Sequence, residues 1–173
     1  MVIKKPVETD ISGLQDFLEL VISDTSKKEG IEEDDFVLEE VESKMKVLKN
    51  YLQEPDKDSR FLIALDGEKI IGTISSTLCG GKILELLGNE VKREFQIGII
   101  YIHPDYQRKG VATNLFNEMN EILKNRGITN FYLDSGYIEA QKYWKKKLGA
   151  PLFIEKDCWG EGVDHMIWKS SLN

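Results

Sequence analysis

The stretch from Glu94 to Gly127 constrains the fold more than any other part of the chain. Glu94–Ile102 reads as a strand, dense in β-branched and aromatic residues through Phe95, Ile97, Ile99, Ile100, Tyr101 and Ile102. His103-Pro104 stops it, since proline has no N–H to give a ladder. From Gly110 to Arg126 the apolar period changes to that of a helix, with Val111, Leu115, Met119, Ile122 and Leu123 on one face. Lys124 and Arg126 complement the helix dipole, and Gly127 is the expected residue just past the end. A strand that turns tightly into a long amphipathic helix buries both apolar faces only in a layered α/β arrangement.

The turn itself is unusual. No Ser, Thr, Asp or Asn stands directly before the helix, so its first backbone N–H groups are left to point at something else. Free amides at a helix start bind anions, above all phosphates. Gly110 lets the backbone approach such a ligand, Ala112 keeps the next turn narrow, and Arg108 and Lys109 add positive charge. The residues alone therefore describe a phosphate cradle after a strand. Two nucleotide patterns fail. Gly80-Gly81-Lys82 has Ser76 and Ile83 where a P-loop needs Gly and a hydroxyl, and Gly160-Glu161-Gly162 leads to His165 rather than a third Gly.

The flanking sequence supplies the other layers. Val2–Lys5 is a short edge strand. Leu14, Phe17, Leu18, Val21 and Ile22 follow a helical spacing, with Asp10 and Ser12 both able to cap it. Glu29 to Asp35 is a loop or the acidic first turn of a second helix, which carries Val37, Val41, Met45, Leu48 and Leu52 and ends before Pro55. Arg60–Leu65 and Lys69–Leu78 flank Asp66-Gly67, a hairpin signal. Ile83–Leu87 fits helix or strand. Asn130–Leu133 is a strand, Ile138–Leu148 a short helix, and Pro151–Glu155 with Val163–Lys169 a closing strand pair. No repeat, low-complexity tract or linker interrupts this order. The expectation is one α/β (α+β) domain over residues 1–173, with a mixed central sheet flanked by helices.

Charge narrows the function. The chain has 173 residues and a formal charge of −7. Residues 1–60 hold nine basic and sixteen acidic side chains, and the remainder holds fourteen of each, so the whole deficit sits in the first third. That argues against nucleic acid as a partner, which needs a basic face. No apolar run reaches membrane-spanning length, and the N-terminus lacks the pattern of a signal peptide, so a cytoplasmic protein with no membrane partner is expected. Cys79 and Cys158 form no CxxC pair and read as reduced thiols. Two histidines, His103 and His165, are too few for a His-based metal site, and no metal is expected.

The cradle residues Gln107-x-x-Gly110-x-Ala112 resemble the Q/R-x-x-G-x-G/A signature of the GCN5-related N-acetyltransferase (GNAT) superfamily. The surrounding Ile102-x-Pro104-x-Tyr106-Gln107-Arg108-Lys109-Gly110-Val111-Ala112-x-x-Leu115 is similar to that family's cofactor motif nearly throughout. The resemblance covers the full chain by element order and residues 97–150 by motif. It implies splayed middle strands and acetyl-coenzyme A as co-substrate. The implied pyrophosphate site is the loop Arg108, Lys109, Gly110, Val111, Ala112 and Thr113 with Gln107. The implied partners of the pantetheine arm are the backbone groups of Ile100, Tyr101 and Ile102, on a strand that usually carries a bulge. An N–H of that strand is the implied donor to the thioester carbonyl.

Acetyl transfer to an amine requires removal of an ammonium proton and protonation of the departing thiolate. Glu94 and Gln96 share one face of the strand, and Glu94 is the candidate base, acting through water; a solvated strand-end carboxylate is the plainer alternative. The family's general-acid pattern, roughly N-x-x-A-x-x-x-Y-x-x-x-G-F, meets Tyr137 at the Asn position, Ala140 at the Ala and Trp144 at the Tyr. One residue is inserted before Gly149, and Ala150 replaces Phe. Tryptophan donates no proton at useful pKa, so Tyr143 becomes the candidate acid, with Tyr137 behind it; both Tyr143 and Trp144 also fit as core aromatics. Trp159, beside Gly160, suggests a loop lining the acceptor pocket.

Together these expectations describe an acetyl-CoA-dependent N-acetyltransferase acting on a small-molecule amine by direct attack, with no nucleophilic cysteine. The family's first two helices commonly wall the acceptor site, so the acidic excess here suggests a cationic acceptor; ordinary solubilising surface charge is the plainer alternative. A catalytically weak acyl-CoA sensor or interaction module is the alternative, motivated by Tyr137 and Trp144. The sequence leaves the oligomeric state open, a homodimer included.

Overall fold

The computed structural model describes residues 1–31, 35–55 and 57–172. The acidic run anticipated between Glu29 and Asp35 falls partly on Glu32, Glu33 and Asp34, which lie outside the described residues. The strands are β1 (Val2–Lys4), β2 (Ser59–Asp66), β3 (Lys69–Leu78), β4 (Phe95–Ile102), β5 (Asn130–Ser135), β6 (Phe153–Glu155) and β7 (His165–Ser171). The helices are α1 (Ile11–Glu29), α2 (Phe36–Gln53), α3 (Gly81–Leu87), α4 (Val111–Lys124) and α5 (Ile138–Leu148). The strands form a mixed, open sheet in the order β1-β2-β3-β4-β5-β7-β6. The chain divides into two compact units, Met1–Ser76 with Ile99–Glu121 and Thr77–Gly98 with Ile122–Asn173.

The first unit is built on the two N-terminal helices. Leu14, Leu18 and Ile22 of α1 and Leu48 of α2 are wholly buried, with Val41 and Met45, against Phe61 and Ile63 of β2. The helical spacing of these residues thus fixes the buried face. Asp10 occupies the N-cap position of α1 but makes no cap bond there. Its carboxylate instead takes the Lys4 ammonium at 2.8 Å and the Val7 N–H at 2.8 Å. The expected cap by Asp10 or Ser12 is therefore corrected: a short 3₁₀ turn over Glu8–Asp10 precedes the helix and claims that side chain. β1 pairs antiparallel with β2 at the sheet edge, Ile3 opposite Ala64.

The second unit carries the parallel pairing of β4 with β5, registered at Gln96 opposite Tyr132. β5 then runs antiparallel to β7 from Asn130↔Ser171 to Ser135↔Met166, and β6 closes on β7. Ile83–Leu87, ambiguous from its pattern, lies in α3, whose Ile83 is buried with Cys79, Val91, Tyr132 and Ile167. Gln141 of α5 is buried, and its amide donates to the carbonyls of Ser135 at 3.0 Å and Asp164 at 2.8 Å. Both bonds hold the helix on this unit, where a lost buried partner costs about 1–3 kcal/mol.

Candidate active site

β4 departs from regular geometry at Ile99, whose φ of 49° is rare for a β-branched residue. The position is held from two sides. The Thr73 hydroxyl donates to the Ile99 carbonyl at 2.9 Å, and the Ile99 side chain packs on the helical core. Strain of this kind persists only where the surroundings impose it. The kink re-aims the backbone of Ile100, Tyr101 and Ile102 just before the strand ends, and all three residues are half-buried.

His103 then begins a 3₁₀ turn over Pro104–Tyr106. It is buried, and its Nδ1 accepts the Asp105 N–H at 3.2 Å, the turn-shaping role its position suggests. Gln107 is exposed and reaches back to the Ile102 carbonyl at 3.4 Å. Arg108 (φ 60°) and Gly110 (φ 84°) both take left-handed conformations, which reverse the chain within three residues. A Cβ on Gly110 would meet nothing within 4 Å. Glycine stands there for its backbone conformation, not for lack of room.

α4 starts at Val111, and its first ladder bond runs from the Asn114 N–H to the Gly110 carbonyl at 3.0 Å. The amides of Val111, Ala112 and Thr113 have no partner among the described residues. Val111 is buried, anchoring the turn, while Thr113 faces out. The anchor depends on a glycine that no local pattern announces. A Cβ on Gly72 of β3 would lie 2.9 Å from Leu115 Cδ1 and 3.0 Å from both Ile102 Cδ1 and Val111 Cγ1. Glycine at this point lets α4 pack directly on the strand.

Tyr106 ties the loop to the β2–β3 hairpin. Its hydroxyl donates to Asp66 at 2.8 Å, and that bond pushes the phenol above its ordinary 10.0. The ammonium groups of Lys69 and Lys109 lie 5.4 and 5.2 Å from its ring centre.

The second unit holds the acid–base candidates. Glu94 sits one residue before β4 rather than within it, exposed, and its carbonyl accepts the Cys79 N–H at 2.8 Å. The strand thus begins one residue later than the expected Glu94–Ile102. The Gln96 side chain is committed elsewhere, accepting the Gly80 N–H at 2.9 Å at the start of α3. Tyr143 is 38% exposed and rests edge-on against Trp144, which is 5% exposed. Trp144 is thus a core aromatic and Tyr143 is not. Tyr137 precedes α5, its N–H donating to Ser135 Oγ at 3.2 Å. Burial, reinforced by Glu94 and Asp134, pushes the Cys79 thiol up to about 12.

A chain of polar contacts in this unit was not legible in the sequence. Trp159, 54% exposed, donates from Nε1 to Nδ1 of buried His165 at 3.1 Å. Nε2 of His165 lies 2.9 Å from Asp134 Oδ2. Since Nδ1 accepts, the imidazole proton sits on Nε2 and is donated to the carboxylate. Gly136 makes room, for a Cβ there would lie 2.6 Å from the Trp159 Nε1. An exposed indole is thereby held in one orientation by a buried histidine and a carboxylate.

Among the described residues, no group of three or more His, Cys, Asp or Glu side chains is placed to hold a metal ion, and no helix is long and apolar enough to cross a membrane. The fold recurs in solved structures. The PaiA N-acetyltransferase of Thermoplasma acidophilum, solved with coenzyme A, superposes with a TM-score of 0.72 at 17% identity over 98% of each chain. The ribosomal-protein-alanine N-acetyltransferase of Brucella melitensis gives 0.72 at 14% identity over 99% of each. An aminoglycoside 6'-acetyltransferase type Ii gives 0.68 at 16% identity, over all of this chain and 98% of that one. No curated protein sequence matches. The sequence model of the acetyltransferase (GNAT) family matches residues 26–150, well beyond the cradle motif, and with the kinked β4 and uncapped α4 in place the chain belongs to that family.

Proposed function

We propose that this chain, read as one domain over residues 1–173, transfers the acetyl group of acetyl-coenzyme A to a primary amine of a small-molecule acceptor. The observation that carries the reading is the turn from Gln107 to Thr113. Its unpartnered amides at Val111, Ala112 and Thr113, and the charges of Arg108 and Lys109, fit a pyrophosphate. The backbone of Ile100, Tyr101 and Ile102, beyond the kink, receives the pantetheine arm, and one of its N–H groups donates to the thioester oxygen. Coenzyme A supplies the activated acetyl group; the protein supplies orientation and proton transfers.

Tyr143 is the proposed proton donor to the leaving thiolate and Glu94 the proposed base, acting through water. Both reach solvent, whereas Trp144, at the family's acid position, is buried and its indole N–H is too weak an acid to protonate a thiolate. Cys79 is held as a neutral thiol, which supports direct attack by the amine rather than transfer through an acetyl-cysteine. The acceptor is proposed to be a small cation, such as a polyamine, an amino sugar or a lysine-like amine. Part of the N-terminal acidity is locally neutralised, by Asp10–Lys4, Asp24–Lys28, Glu40–Lys44 and Glu54–Lys57. Asp16, Glu39 and Glu42 remain exposed to serve the acceptor.

Thiol release from acetyl-CoA, measured with a panel of cationic, neutral and anionic amines, tests this reading. Turnover with cationic amines is the expected result; a preference for neutral or anionic acceptors removes the charge argument. Tyr143→Phe is expected to depress kcat where the phenol is protonated and to remove the alkaline fall of the pH–rate profile, and an unchanged profile removes the acid assignment. The burial of Trp144 favours one second reading, an acyl-CoA sensor without turnover. Tight coenzyme A binding with no thiol release for any amine identifies it.

A further inference from the structure

Of the aromatic rings with a lysine ammonium over one face, Trp159 alone among the described residues is open to solvent. Lys82 Nζ lies 5.1 Å from its ring centre, and the residue is 54% exposed. Tyr132, under Lys169, is buried, and Tyr106, under Lys69 and Lys109, is half-buried. The indole is also fixed in place. Its Nε1–H is taken by buried His165, which is itself 2.9 Å from Asp134. The loop around it closes on its own backbone: the Trp159 N–H donates to the Val163 carbonyl at 3.1 Å, and the Val163 N–H to the Gly160 carbonyl at 2.9 Å. Ordering an exposed side chain during folding costs entropy, and it lowers the cost of any later binding. Lys82 shows what the ring binds. Its ammonium is held by the π face and by Glu85 Oε1 at 2.8 Å, on side chains 27% and 60% exposed. A pair so open to water is weak, so the tethered ammonium is exchangeable.

A π face and a carboxylate both favour the charged form of an amine. The amine that attacks a thioester must first lose its proton, so such a seat suits an ammonium that does not react. Resting on the acetyl-transfer reading above, we propose that Trp159 and Glu85 hold the non-reacting ammonium of an acceptor with at least two amino groups, displacing Lys82. Trp159 is then a specificity-determining residue, and His165 and Asp134 are positioning residues that act through it. All five side chains belong to the second compact unit. An acceptor with a single amine leaves Lys82 on the ring and gains nothing from the seat.

Thiol release from acetyl-CoA, measured with α,ω-diamines of graded length and with the amino alcohols that carry a hydroxyl in place of one amine, tests the seat. Thermal melting confirms that each variant folds. Wild type is expected to show a lower KM for diamines than for the matched amino alcohols. Trp159→Ala should reduce that preference by about two- to fivefold, the scale of one exposed cation–π contact, and Trp159→Phe, which keeps a ring, should reduce it less. Lys82→Ala removes the competing ammonium and should increase the preference. His165→Phe should reduce it as Trp159→Ala does, and combining the two should add little, since both remove the same oriented ring. A preference left intact in Trp159→Ala, an equal change toward both kinds of amine, or a preference that Lys82→Ala fails to increase overturns the proposal. Full preference in His165→Phe overturns the positioning role. Wild type that acetylates amino alcohols without favouring diamines removes the seat alone, whereas wild type that releases thiol with no amine removes the acetyl-transfer reading as well.

Discussion

Replacing Gly72 by alanine tests whether strand-to-helix packing is what positions the cradle. The new methyl group would lie 2.9 Å from Leu115 Cδ1 and 3.0 Å from Ile102 Cδ1 and Val111 Cγ1, against about 3.5–4.0 Å for an ordinary carbon contact. Leu115 and Val111 are 0% and 4% exposed, so neither can swing into solvent. Overpacking of this kind costs about 1–3 kcal/mol. Against it stands a gain of about 0.4–1 kcal/mol, because alanine restricts the unfolded chain more than glycine does. The net expectation is a loss of about 1–2 kcal/mol, or roughly 2–8 °C in Tm for a chain of this size. Urea and thermal unfolding followed by circular dichroism give the stability, and titration with coenzyme A gives the effect on the cradle. Affinity should fall too, because Val111 must move and it begins α4. Gly98→Ala is the control: its Cβ meets nothing within 4 Å, so it should be neutral or slightly stabilising. An unchanged or raised Tm for Gly72→Ala would refute the packing argument.

Other regions of the molecule give three further expectations. Burial acts to raise the Asp10 carboxyl, but the Lys4 ammonium and the Val7 N–H outweigh it and hold the group below its ordinary 3.8. Its contribution is therefore present above that value and lost as pH falls through and below it; Asp10→Asn should lower stability in urea melts at pH 7, with the difference from wild type vanishing in acid. Cys79, buried and pushed up to about 12, should resist a thiol reagent in the native protein at pH 8 and react once urea unfolds it, which peptide mass mapping reads directly. His165→Phe removes the acceptor of the Trp159 N–H and leaves Asp134 without its donor. It should cost about 1–3 kcal/mol and free the indole, seen as altered tryptophan emission, while a wild-type-like spectrum would show that the contact does not orient Trp159.

The order of elements was readable because each segment carries its own period. The apolar stripe of α1 fixes a buried face whatever surrounds it, and Asp66-Gly67 announces its hairpin by turn chemistry alone. Ile138–Leu148 appears with the very bounds its pattern suggests. Ile83–Leu87 was undecidable because a short apolar run satisfies both periods; burial of Ile83 beside Cys79 and Tyr132 settles it as helix. Asp10 misleads for a similar reason. A carboxylate near a helix start has several donors in reach, and Lys4, brought close by β1, competes successfully with the helix.

The candidate site divides along the same line. Local sequence determined the cradle: a strand stopped by proline, a glycine where φ must be positive, and a helix begun without a cap depend only on neighbours along the chain. Tertiary structure decided what that cradle can use. Gly72 is needed because α4 crosses β3 there, and Ile99 is kinked because Thr73 and the helical core hold it. The Trp159 ring that Lys82 approaches, and the histidine and carboxylate that orient it, join residues far apart in sequence. No local pattern encodes such pairings, because the free energy that creates them comes from contacts that exist only once the chain is folded.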